Sequence, residues 1–197
     1  MTNATKAVTR RGPKEKASTQ LLLSIQEGGT FPRIKIFDLD EGPIDVNFEK
    51  SKLARSMESR MTQLRRKHNS FAGKKFTNQS FTSVLSDNNI VCGTVLTCVS
   101  GEVSDEASLI DDNEAYVMQV KELSIGDTMP IVNVVDPSTE TVCVDAEKAF
   151  IQQKTDLIID LTSETTMFKA ARFESELFTT TLANGKLIFG ALIKRIS

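Results

Sequence analysis

Six cations, Lys52, Arg55, Arg60, Arg65, Arg66 and Lys67, crowd into one stretch, and Lys74 and Lys75 follow closely. Between them Leu53, Met57, Met61 and Leu64 recur at i, i+4, i+8 and i+11, the stripe of an amphipathic helix predicted over Glu49–His68. With that stripe inward, 100° per residue puts Lys52, Arg55, Ser59, Gln63 and Arg66 on the opposite side, flanked by Arg60 and Lys67. Such a surface suits phosphate contacts, which rest on counterion release. The plainer alternative is a solvated face whose cations complement the helix C-terminus. Upstream, Arg10, Arg11 and Lys14 surround Gly12-Pro13 in a basic arm, without the central arginine of an Arg-Gly-Arg-Pro minor-groove hook.

Other chemistry is sparser. Cys92, Cys98 and Cys143 lack CxxC spacing, and with the single His68 they do not make a zinc ligand set. They are expected to be small buried or half-buried side chains of a reducing compartment. No metal or cofactor is expected. The string Ile34-Lys-Ile-Phe-Asp38-Leu-Asp40-Glu-Gly42 resembles the first motif of haloacid-dehalogenase-like phosphotransferases, which implies Asp38 as nucleophile and Asp40 as general acid/base. It departs from that motif at Glu41. That family also needs a doubly wound parallel sheet, with a helix after nearly every strand. Here one predicted helix separates Asp40 from a hairpin, so Asp38 and Asp40 are read as a strand end and turn, and the chain as non-enzymatic.

The elements that position these residues occur twice. At an offset of 98, Gly28, Thr30, Pro32, Asp38, Val46, Glu49 and Lys50 fall on Gly126, Thr128, Pro130, Asp136, Val144, Glu147 and Lys148. At an offset of 97, Phe71, Phe76, Phe81, Thr82, Leu85, Gly93 and Ser100 meet Phe168, Phe173, Phe178, Thr179, Leu182, Gly190 and Ser197. Recurring in an acidic second copy, Phe71, Phe76 and Phe81 read as core rather than as base-stacking platforms. Each copy is predicted to run β-β-β-α-β-β. Gln20–Gln26 (or Tyr116–Glu122) and Arg33–Asp38 flank a Gly-x-Thr-x-Pro turn, and Ile44–Phe48 forms a third strand before the helix. Two hairpins close the copies: Lys75–Leu85 with Ile90–Val99, and Arg172–Leu182 with Leu187–Ile196. The second copy's helix is expected over Ala146–Leu161, with Phe150, Leu157, Ile158 and Leu161 inward.

The fold class is thus α+β, two tandem homologous units of mostly antiparallel sheet with one helix each. A disordered basic arm (1–18) precedes the first unit (19–100), and an acidic linker (101–114) joins it to the second (115–197). The chain has 197 residues and a net charge of −2, with 40% hydrophobic and 25% charged residues, which excludes a disordered or collagenous chain. The net charge conceals a split: residues 1–100 hold 16 Lys+Arg against 9 Asp+Glu, residues 101–197 hold 8 against 17. No apolar run approaches the ~20 residues of a membrane span, and no secretory signal is visible, so a cytoplasmic or virion setting is expected.

The turn Ile125-Gly126-Asp127-Thr128-Met129-Pro130 and the strand Phe178-Thr179-Thr180, with Gly28–Pro32 and Phe81-Thr82-Ser83 in the first copy, resemble small tailed-phage proteins. These proteins carry a Val-Gly-Asp-Ser-Phe-like turn and a Lys-Phe-Thr-Thr-Arg hairpin ending. The arginine after Phe-Thr-Thr is Val84 or Thr181 here. The resemblance implies a phage accessory protein. We expect it to bind nucleic acid, DNA before RNA, through Lys52, Arg55, Arg60, Arg65, Arg66, Lys67, Lys74 and Lys75 with the arm residues Arg10, Arg11 and Lys14. The alternative is a protein-binding module, a virion component or an inhibitor of a host factor, using sheet edges or the acidic second unit. A homo-oligomer is compatible with both.

Overall fold

In the computed structural model, which describes residues 17–100 and 112–197, the buried residues at the head of each copy are Leu21, Leu22 and Ile25, then Ala115, Tyr116, Val117 and Val120. Their i, i+1, i+4 spacing marks one face of a helix, not the alternation of a strand. Accordingly α1 (Ala17–Ser24) and α4 (Asp112–Lys121) stand where the first strand was expected, and α4 starts inside the segment read as linker.

Each helix turns into an edge strand, β1 (Thr30–Phe37) and β4 (Thr128–Val135). Gly28 and Gly126 make that turn at φ of 81° and 90°, a region that favours glycine. Their N–H groups bond to Cys98 and Arg195 carbonyls, which extends the sheet by one bond. Pro32 and Pro130 fit because β1 and β4 lie at sheet edges.

Ile44–Phe48 is not a strand. The Asp45 carboxylate accepts the Phe48 N–H at 3.0 Å, an N-cap that starts α2 (Val46–Lys67) within that segment. The short α3 (Asn69–Ala72) leads into β2 (Lys75–Val84) and β3 (Ile90–Ser100). In the second copy α5 (Val144–Ser163) is followed by β5 (Phe173–Thr181) and β6 (Leu187–Arg195). The observed unit is therefore α-β-α-β-β. The α+β class, the two similar units and the hairpins are as expected, and the third strand is absent because its residues cap and open the helix.

Each unit holds an antiparallel three-stranded sheet, ordered β1-β3-β2 and β4-β6-β5. Along β3 the side chains divide by parity. Leu96 and Cys98 pack with Met57, Met61 and Leu64 of α2, while Val91 and Val95 face Ile188 and Leu192 of β6. Helix, sheet, sheet and helix are thus layered, and β1 lies alongside β4 and β2 alongside β5. The two halves meet in like-for-like contacts. Phe81 stacks on Phe178, ring centroids 5.9 Å apart. The Ser83 hydroxyl donates to the Thr179 carbonyl at 3.4 Å, and the Thr180 hydroxyl donates to the Thr82 carbonyl at 2.7 Å. Residues paired by the repeat alignment therefore exchange the same bond, the signature of a two-fold-related interface. Across one end, α1 packs on α4 and joins the two halves in a shared apolar cluster.

Candidate nucleic-acid interface

The stripe Leu53, Met57, Met61 and Leu64 is buried against the sheet, as its spacing predicts. Helix α2 carries Lys50, Lys52, Arg55, Arg60, Arg65, Arg66 and Lys67 against two carboxylates, Glu49 and Glu58. Glu49 is already engaged with Lys35 at 3.3 Å. Lys52, Arg55, Arg66, Lys67 and Lys75 are exposed and make no ion pair or side-chain hydrogen bond among the described residues. From Lys52 to Arg66 the helix rises about 21 Å, roughly six base pairs of duplex at 3.4 Å each.

Three of the expected phosphate contacts have structural employment instead. Lys74 is 9% exposed, and its Nζ donates to the Leu23 and Ile25 carbonyls at 2.9 and 2.7 Å. These are orphan acceptors at the C-terminal end of α1, which a lysine satisfies while opposing the helix dipole. Burial pulls the Lys74 pKa below its ordinary value. We therefore remove Lys74 from the phosphate-facing set.

Arg60 is half-buried: it donates to the Ser18 and Thr19 hydroxyls at 2.8 and 3.0 Å and lies over the Phe31 ring at 5.8 Å. Burial first, then the neighbouring Arg33 charge, lowers its pKa. Arg65 donates to the Lys74 carbonyl at 3.3 Å, which ties the end of α2 to the start of β2 while leaving the residue exposed. Arg10, Arg11 and Lys14 lie outside the described residues.

The remaining candidates resolve simply. The Asp38 carboxylate accepts the Asp40 N–H at 2.8 Å and so caps the turn Leu39–Glu41. Cys92 and Cys98 are buried, and burial raises both thiol pKa values. Cys143, expected to be at least half-buried, is exposed, because it stands at the N-cap of α5 outside the packed stripe. Phe71 and Phe81 are buried and Phe76 stacks on Phe71 at 5.2 Å, so these rings belong to the core. No group of acidic, Cys and His side chains among the described residues could hold a metal ion. No helix among them is long and apolar enough to cross a membrane.

The second copy departs from expectation on α5. Its buried face is Ile151, Thr155, Ile158 and Thr162, while Phe150, Leu157 and Leu161 point outward. Aligned with the first copy at an offset of 98, these outward residues replace Lys52, Ser59 and Gln63. That comparison was the available signal, since Thr155 and Thr162 stand where Met57 and Leu64 are buried. Against known proteins, the chain matches no family model, no curated sequence and no solved structure.

Proposed function

We propose that this protein binds nucleic acid without catalysing a reaction, and that the outward face of α2 is the phosphate-binding surface. The observation that carries the reading is a set of exposed cations without ion pairs among the described residues: Lys52, Arg55 and Arg66 on the face of α2 remote from its packed stripe, Lys67 on its flank and Lys75 at the start of β2. A fold needs neither such a run nor its isolation from carboxylates. The equivalent helix of the second unit does without it, with Lys148 and Lys154 against Asp145, Glu147, Asp156 and Asp160. Contacts of this kind position a duplex and carry no sequence information of their own. The arm residues Arg10, Arg11 and Lys14 would add to the same electrostatic term. In this reading the protein is an accessory factor of the kind its phage-like turns imply.

The test is a salt titration of binding to a short DNA duplex. Each phosphate contact contributes about 0.9 to the slope of log K against log salt. Lys52→Gln, Arg55→Gln and Arg66→Gln together are expected to flatten the slope by about 2.7. Absence of binding at low salt, or a slope untouched by the triple substitution, would refute the proposal. Arg65 and Lys74 are left intact, since their loss would disturb packing.

A further inference from the structure

Helix α5 buries Ile151 and Ile158 but carries three further large apolar residues outside its packed face. Phe150, Leu157 and Leu161 are 53%, 45% and 36% exposed, whereas Thr155 and Thr162 are buried. The two threonine hydroxyls return to the Ile151 and Ile158 carbonyls, each at 2.7 Å, so the buried face is satisfied without further partners. On the wheel Phe150, Leu157 and Leu161 fall within about 40° of one another and roughly 100° from the buried face, a seam about three turns long. The homologous positions on α2 are Lys52, Ser59 and Gln63, so the fold itself does not call for apolar residues there.

We infer that this seam is a docking site for a cationic amphipathic helix of another protein. The apolar stripe would take the partner's i, i+3/i+4, i+7 anchors. Charge decides what flanks them. Asp160 and Glu164 lie on the flank of the stripe away from α4 and are exposed. On the opposite flank Lys154 is drawn over the Tyr116 ring of α4 at 5.0 Å. A partner helix with lysine or arginine beside its apolar face complements that acidic rim. A second copy of α5 would bring its own surplus of carboxylates and be repelled. This inference is independent of the nucleic-acid reading, because it concerns the opposite helix layer.

The test uses the full chain and a synthetic probe of two to three heptads, leucine at a and d and lysine elsewhere, with one tryptophan as reporter. Its control is a peptide of the same composition with the leucines scrambled. Saturable one-to-one binding of the patterned peptide only is expected. Phe150→Lys with Leu157→Ser, the residues carried by the homologous helix, should weaken it about tenfold or more, as for loss of a central anchor. Asp160→Lys with Glu164→Lys should weaken it and flatten its salt dependence. Far-ultraviolet circular dichroism checks that each variant folds. Equal binding of the scrambled peptide, or affinity unchanged by Phe150→Lys with Leu157→Ser, overturns the proposal. So does a homodimer that the same double substitution dissociates, since a second copy would then be the occupant.

Discussion

A lysine can neutralise a phosphate or close a helix, and burial decides which. Lys74 closes α1, and Arg195 serves the second unit in the same way by donating to the Leu123 carbonyl at 3.0 Å, although it comes from β6. Lys74→Met should therefore destabilise the protein by about 1–3 kcal/mol, the cost of acceptors left unsatisfied, while Lys75→Met leaves stability unchanged. Urea denaturation of both variants decides it, and equal midpoints would return Lys74 to the surface set. The cysteines divide similarly. Cys143 should react with a thiol reagent in the native protein, with Cys92 and Cys98 protected until unfolding. Counting modified thiols by mass spectrometry, with and without denaturant, checks this. For Cys92 and Cys98 the folded pKa is raised, so the unfolded chain loses these protons first and stability should fall as pH climbs above 9.0.

At the scale of the element, the hairpins carry the most constrained feature of the fold. Phe81 lies across Gly93 and Phe178 across Gly190, paired in register on neighbouring strands. A methyl group added at Gly93 would come within 2.2 Å of the Phe81 ring, and one at Gly190 within 2.4 Å of the Phe178 ring. Gly93→Ala and Gly190→Ala should each cost about 1–3 kcal/mol through overpacking. Combining Gly93→Ala with Phe81→Leu should cost less than the sum of the two changes, because the clash disappears with the ring. A double-mutant cycle measured by denaturation settles it, and strict additivity would contradict the contact. The helices illustrate the opposite situation. α2 and α5 begin at homologous residues and pack on the equivalent outer face of their own sheets, yet one points cations at solvent and the other Phe150, Leu157 and Leu161.

For the whole molecule, the two units share their cores. Phe81, Val91 and Val95 cluster with Phe178, Ile188 and Leu192, and Leu21, Leu22 and Met57 cluster with Tyr116, Val120 and Ile158. The Ser86 N–H donates to the Glu176 carboxylate at 2.7 Å, a further bond between the halves. Separating the units would expose both apolar surfaces, so the chain should unfold in one cooperative transition. Calorimetry would show a single peak with matching calorimetric and van't Hoff enthalpies, and two resolved transitions would contradict the shared core. The opposed surfaces, cationic on α2 and acidic with an apolar seam on α5, then belong to one rigid layered body.

From the residues alone came the duplication, the α+β class, the long helices, the hairpins and the inward stripe of α2. These rest on local periodicity and turn chemistry, which act within a few residues. The first element of each unit is not legible in sequence, because Gln20–Gln26 is short and its partner surface, the opposing α4, lies about a hundred residues away. Ile44–Phe48 alternates like a strand, yet its aspartate caps a helix. Among the cations, sequence supplied the cluster, but it took the tertiary structure to separate Lys74 and Arg60, spent on α1, from Lys52, Arg55 and Arg66, left to solvent. The same holds for α5, whose periodicity fits two faces at once. Which face is buried depends on the sheet and on α4 beside it, because burial is a property of the packed neighbours and not of the helix.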